Sequence, residues 1–227
     1  MLEGNIKDYF TKWVAKRIDR NQNCIIVING ATGSGKTYSA ISLAYRLATL
    51  FKVNFEIKNN LTFDFKSFIR MTRLEINRAK GTPFIFEEVG AIGGGAMGRQ
   101  FMSMANKMFF SFMQTTRHKN QILIMTCPSF GDLDIGARSL SHIQITTSFI
   151  DYYKKLAFLK INKVNSDPIT RQVYFTHLKF YENGIGFKVP FIALPHPKKE
   201  IVEEYEVIKK KFTDKLEREI LTKVMKK

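Results

Sequence analysis

Apolar residues recur along this chain with two periods, and the switches between them mark out its elements. Residues 5–19 place Tyr9, Phe10, Trp13, Val14 and Ile18 at helical spacing. The unbroken apolar run Cys24-Ile25-Ile26-Val27-Ile28-Asn29 suits a buried parallel strand. Tyr38 to Phe51 then carries Ala40, Ile41, Leu43, Ala44, Leu47 and Ala48 as a helix, and Phe51 to Ile57 alternates Val53, Phe55 and Ile57 as a second strand ended by Asn59-Asn60. Residues 65–79 read as a helix, and Phe84-Ile85-Phe86 reads as a strand bounded by Gly81-Thr82-Pro83 and Gly90. Two further strands are expected at Gln121–Thr126 and His142–Thr146. Alternation of strand and helix over the first 150 residues predicts a three-layer α/β fold.

After Thr147 the rhythm changes. Leu156 to Val164, Arg171 to Phe180 and Ile185 to Phe191, separated by Asn165-Ser166-Asp167-Pro168 and Asn183-Gly184, predict an antiparallel β meander with a type I′ turn at Asn183-Gly184. Past Pro190, Pro195 and Pro197, an apolar stripe of Ile201, Tyr205, Ile208, Phe212, Leu216, Ile220 and Val224 predicts a terminal amphipathic helix. It either docks on the protein's own core or reaches for a neighbour. Five glycines within residues 90–98 predict a mobile loop after the third strand, and the methionine- and phenylalanine-rich stretch from Phe101 to Met113 reads as a core helix face, with a subunit contact as the alternative.

One junction carries chemistry. Gly30-Ala31-Thr32-Gly33-Ser34-Gly35-Lys36-Thr37 fills every slot of G-x-x-x-x-G-K-[ST], between a strand and a helix as the motif requires. Glycines let successive backbone N–H groups point at phosphate oxygens, and the helix beginning near Gly35, with Tyr38 in its first turn, adds the positive end of its dipole. Lys36 is expected on the β- and γ-phosphates and Thr37 on Mg²⁺. Glu87 and Glu88 follow the third strand, so Glu87 is expected on the magnesium side and Glu88 as the general base that polarises water. Glu87 is one methylene longer than the aspartate usual at its position. A guanine-reading Asn-Lys-x-Asp is missing, since Asn106-Lys107-Met108-Phe109 lacks the final acid, and ATP is the expected nucleotide.

Composition adds a partner class and excludes others. Thirty-six Lys and Arg against twenty Asp and Glu leave a net charge of +16, which favours nucleic acid, although the even spread of basic residues also fits a general lysine-rich composition. No apolar run approaches the ~20 residues that span a bilayer, and Met1-Leu2-Glu3-Gly4 does not begin a secretion signal, so a cytoplasmic location, in a host cell or with a virion, is expected. Cys24 and Cys127 fall at opposite ends of neighbouring strands and are not expected to pair. His118, His142, His177 and His196 stand apart and read as surface or packing residues rather than ligands.

In chain order, Gly30 to Thr37, Phe84 to Glu88, Arg117-His118-Lys119 and Ile122 to Pro128 together resemble the HerA/FtsK superfamily of DNA-pumping ATPases, and within it the small Zot-like ATPases of phages, plasmids and archaeal elements. The resemblance covers about residues 20–150 and recurs weakly at Leu194-Pro195-His196-Pro197 and around Tyr205. It implies an ASCE-type, RecA-like parallel sheet in a P-loop ATPase core at 1–150, an antiparallel extension at 151–195 and a terminal helix at 196–227. It further implies that the strand ending at Thr126 lies between the P-loop strand and the acidic strand, making Thr126 a γ-phosphate sensor, with Cys127 where relatives carry glutamine. Arg117 or Arg138 would act as a finger in a neighbour's site, which implies a homo-oligomer in the form of a hexameric ring. The implied activity is Mg²⁺-dependent ATP hydrolysis that moves DNA in packaging, conjugation or segregation. Its rivals are an assembly or extrusion factor with a membrane or virion protein partner, and a helicase.

Overall fold

The computed structural model describes residues 8–87, 111–114 and 116–225. Its centre is a sheet in the order β10-β6-β5-β1-β4-β3-β2. The strands are β1 (Cys24–Asn29), β2 (Leu61–Thr62), β3 (Pro83–Phe86), β4 (Ile122–Cys127), β5 (Ile143–Asp151), β6 (Leu156–Ser166) and β10 (Phe191–Pro195). From β2 to β5 every pairing is parallel, and β6 and β10 add antiparallel strands on the other side. Parallel strands buried on both faces explain the unbroken apolar runs at Cys24 and Ile122.

Side-chain alternation sends the two faces of these strands into separate cores. Ile26, Ile28, Ile85, Ile122 and Ile124 join Ile41, Leu43 and Leu47 of α2 (Lys36–Phe51) and Phe10, Val14 and Ile18 of α1 (Tyr9–Asp19). Ile25, Val27, Phe84, Phe86, Leu123 and Met125 face Phe68 of α4 (Phe65–Met71), Met113, and Ala137 of α5 (Ile135–Leu140). Helices therefore cover both faces of a mainly parallel sheet, the three-layer α/β arrangement. Met113 closes the methionine-rich stretch and is core; the rest of that stretch up to residue 110, and the glycine-rich loop, lie outside the described residues.

The alternating segment at 51–57 is not a strand. Lys52 ends α2 in a left-handed conformation, with φ of 54°, and Phe55 and Ile57 turn directly into the core. Ile57–Asn60 then form the one-turn helix α3. Asn60 closes it by accepting from the Glu56 backbone N–H at 3.1 Å and donating to Asn77 Oδ1 at 3.1 Å and the Pro83 carbonyl at 3.2 Å. The strand follows, at Leu61–Thr62, paired with Ile85 and Phe86. The helix expected at 65–79 stops at Met71, because the Thr72 carbonyl is taken by Gln121 and Lys119 and the chain tightens into a 3₁₀ turn at Glu75–Asn77.

In the antiparallel part, the eleven-residue β6 is shared end to end. Its first half pairs with β10 and its last residues with β7 (Val173–Thr176). The hairpin β8 (Lys179–Glu182) and β9 (Ile185–Lys188) forms a separate sheet, and Asn183 and Gly184 both adopt positive φ, as a type I′ turn requires. It folds over α1, where Tyr9 stacks on Phe187 and Phe180 and Lys12 pairs with Glu182 at 2.7 Å. The terminal helix α6 (Lys199–Val224) docks its first half on the α2 face through Ile201, Tyr205 and Ile208. Among the described residues, no helix is long and apolar enough to cross a membrane.

Candidate functional site

The carboxyl end of β1 opens into the glycine turn, and its shape depends on close approach. A Cβ at Gly30 would lie 1.9 Å from Thr147 Oγ1 and 2.8 Å from Ser34 Oγ, so only glycine fits there. Gly35 caps α2 with φ of 81°, a left-handed conformation that turns the chain into the helix. The first backbone N–H groups of this sixteen-residue helix have no intrahelical acceptors, and no acidic side chain occupies its first turn. An anion is the natural complement of such an end. Lys36 bends over the turn, donating to the Gly30 and Ala31 carbonyls at 2.9 Å each.

The ends of β3 and β4 complete the floor. Because β4 lies between β1 and β3, Thr126 sits opposite Ile28, wholly buried on the α2 side of the sheet. Cys127 pairs with Asn29 and points to the other side, among Phe86 and Met125. Burial pushes its thiol up to about 12, with the nearby Asp132 charge adding to the shift. Cys24 is raised to about 12 by burial as well, and both cysteines are free.

Glu87 follows β3 and turns back toward α2. It is 2 % exposed, its backbone N–H donates to the Thr62 carbonyl at 2.9 Å, and its Oε1 accepts from the Thr37 hydroxyl. A carboxylate and a hydroxyl are hard oxygen donors, and two of them on one point fit Mg²⁺, which keeps most of its shell for water and phosphate oxygens. Among the described residues, no group of three or more His, Cys, Asp or Glu is placed to hold a metal ion.

Above this floor lies a cavity of about 600 Å³ that runs from the glycine turn toward the edge strand β10, along the same end of the strands. Its walls beyond the P-loop come from Ile150 at the end of β5, Tyr152 in the turn that follows and Leu156 at the start of β6, and from His196 and Pro197 after β10. The His196 backbone N–H donates to the Lys155 carbonyl at 2.8 Å, which binds these two walls together. His196 also meets the Tyr38 ring edge-on, with centroids 5.0 Å apart. Tyr38 donates to Glu206 at 2.9 Å, and its hydroxyl is pushed up to about 12 by burial and by that carboxylate.

The third wall is α6. Tyr205 is 1 % exposed and donates its hydroxyl to Glu87 Oε1 at 3.0 Å. Burial and the Glu87 charge hold this phenol well above the usual tyrosine range, so it remains a donor.

The structure thus gathers Gly30 to Tyr38, Glu87 and Thr126 at one end of the parallel strands. Glu88 lies outside the described residues. The Arg117 backbone belongs to the 3₁₀ turn Thr116–Lys119 before β4, and its side chain lies outside them too. Arg138 sits half-buried on α5, whose buried Ala137 packs against the sheet face opposite α2; its Nε makes no hydrogen bond among the described residues. Sequence reasoning missed His196 and Tyr205 as residues of the site. A proline-flanked histidine, a polar-tipped aromatic within an apolar stripe and the weak resemblance around both were the signals present.

No known protein family matches the chain, and no curated protein matches it. Solved structures similar to it include the N-terminal domain of zonular occludens toxin from Neisseria meningitidis, 16 % identical, with a TM-score of 0.42 over 69 % of this chain and 95 % of that one. Another is the genome packaging NTPase of Sulfolobus turreted icosahedral virus 2 in complex with ATP-gammaS, 10 % identical, with a TM-score of 0.38 over 68 % of this chain and 97 % of that one.

Proposed function

We propose that this chain is a Mg²⁺-dependent ATPase whose turnover moves DNA, working as a ring of identical copies. The observation that carries the nucleotide part is the convergence of Lys36, Thr37 and Glu87 beneath a cavity large enough for a nucleoside. The triphosphate lies along the glycine turn and the N-terminus of α2, with Lys36 leaving the Gly30 and Ala31 carbonyls for the β- and γ-phosphates. The base enters the cavity between Tyr38, Ile150 and His196. Thr37 and Glu87 would hold magnesium, which when bound would supply charge neutralisation on the phosphate oxygens. Glu88, next in the chain, takes the proton of the attacking water, and Thr126 contacts the γ-phosphate from the neighbouring strand end.

The DNA part rests on the net charge of +16, and the ring on Arg117 as a group offered to a neighbour's phosphates. A second reading, a nucleotide-dependent assembly or extrusion factor with a protein or membrane partner, draws support from the far end of α6. There Leu221, Val224 and Met225 are 58 %, 67 % and 85 % exposed. The deciding experiment measures ATP hydrolysis with and without duplex DNA. Stimulation by DNA without strand displacement supports a pump, and strand displacement makes it a helicase. Hydrolysis indifferent to DNA supports the partner-directed reading, and the absence of nucleotide binding removes the ATPase assignment.

A further inference from the structure

Tyr205 is the buried centre of the apolar stripe of α6, between Ile201 and Ile208. Its ring lies against Phe63 and Tyr38, at centroid distances of 6.4 and 6.1 Å, and Lys209 Nζ stands 5.6 Å from its centroid. Burying a phenol this deeply costs free energy unless its hydroxyl finds an acceptor. The acceptor is Glu87 Oε1, at 3.0 Å and 118 residues away in the chain. Thr37 donates to the same oxygen. One carboxylate oxygen therefore collects a hydroxyl from the P-loop helix and a hydroxyl from the terminal helix.

We propose that Tyr205 is a positioning residue for Glu87: its hydroxyl fixes the orientation of the carboxylate that, with Thr37, receives magnesium, and so makes the docked α6 part of the nucleotide site. The inference rests on the nucleotide-binding reading above. A carboxylate has about four lone-pair sites, so one oxygen holds a phenol hydrogen bond while the other directions remain for a cation and its waters. Groups that orient a metal's ligands typically contribute ten- to a hundredfold in metal affinity. Without the hydroxyl, Glu87 keeps its charge and loses its fixed direction. Metal-free nucleotide, held by the glycine turn and Lys36, is untouched.

The test is Tyr205→Phe, which preserves the ring contacts. Binding of a non-hydrolysable ATP analogue is titrated by calorimetry in EDTA and then across a magnesium series, beside kcat and KM along that series. The expected result is unchanged affinity in EDTA, a rise of about tenfold in the magnesium concentration for half-maximal binding, and a loss of turnover at limiting magnesium that shrinks as magnesium rises. The shift should vanish when Tyr205→Phe is made in a Glu87→Ala background. An unchanged magnesium requirement, or an equal shift in both backgrounds, overturns the proposal. If Tyr205→Phe loses its fold, 3-fluorotyrosine at position 205 keeps the volume and strengthens the donor. The magnesium requirement should then fall, and no change overturns the proposal. A parent chain that binds no nucleotide at any magnesium concentration would instead overturn the underlying reading.

Discussion

Thr147 on β5 donates its hydroxyl to Ser34 Oγ at 2.7 Å, so the glycine turn is braced by the strand beside β1 as well as by its own helix. The same threonine closes the space over Gly30, where any Cβ would fall 1.9 Å from Oγ1 and 3.2 Å from the threonine Cβ. Gly30→Ala should destabilise the protein by about 1–3 kcal/mol and weaken nucleotide binding. Adding Thr147→Ala should recover part of both losses, since the nearest clashing atom is gone. Thermal unfolding and nucleotide titration of the two single variants and the double variant check this; strictly additive losses would refute the contact as the cause.

Lys36→Ala should leave the fold intact, because among the described residues the Lys36 ammonium donates to turn carbonyls alone. It should abolish hydrolysis and weaken nucleotide binding, since the cation that serves the β- and γ-phosphates is removed. Near-normal turnover would remove the P-loop assignment.

Glu88→Gln should keep ATP bound and block turnover, because the amide preserves the side chain's shape but cannot take a proton. Glu87→Gln should raise the magnesium requirement instead, given that Glu87 is the carboxylate that Thr37 contacts. A magnesium titration of both variants, with single-turnover hydrolysis, separates the roles. The opposite assignment of phenotypes would reverse them.

Arg117→Ala should bind ATP as the parent does and hydrolyse it at least about 10³-fold more slowly if Arg117 completes a neighbour's site. Mixing it with Lys36→Ala chains should restore part of the activity, because some interfaces then pair an intact P-loop with an intact arginine. Full activity in a monomer would end the ring reading and leave the ATPase reading standing.

Both thiols are raised to about 12 by burial, against an ordinary value near 9. Alkylation at pH 8.5 should be slow in the native protein and fast in denaturant. The sign for stability follows from proton binding. Between pH 9 and 12 the native state keeps protons that the unfolded chain has lost, so this contribution is whole below pH 9 and fades as pH rises toward 12. Urea midpoints at pH 8 and 10.5 should fall less steeply in a Cys24→Ala, Cys127→Ala double variant than in the parent.

What the sequence determined by itself was local. Consecutive residues specify the glycine turn, because the backbone shape at Gly30 and Gly35 and the first turn of α2 lie within nine positions. Hydrophobic period specifies β1, β4 and α2, whose apolar runs are long and bury both faces or one whole side. Asn183-Gly184 specifies its turn through the positive φ that both residues tolerate. The period failed where burial and hydrogen bonds to distant groups outweighed it, at 51–57, where Phe55 and Ile57 reach the core without a ladder and Asn60 bonds to Asn77 and Pro83. Only the tertiary structure decided that β6 serves both β10 and β7, that His196 walls the cavity, and that Tyr205 reaches Glu87 across 118 residues. Those contacts depend on how whole elements pack. A residue's near neighbours in the chain fix its secondary structure and its face, but which partner stands opposite that face is settled by the docking of elements far apart in sequence.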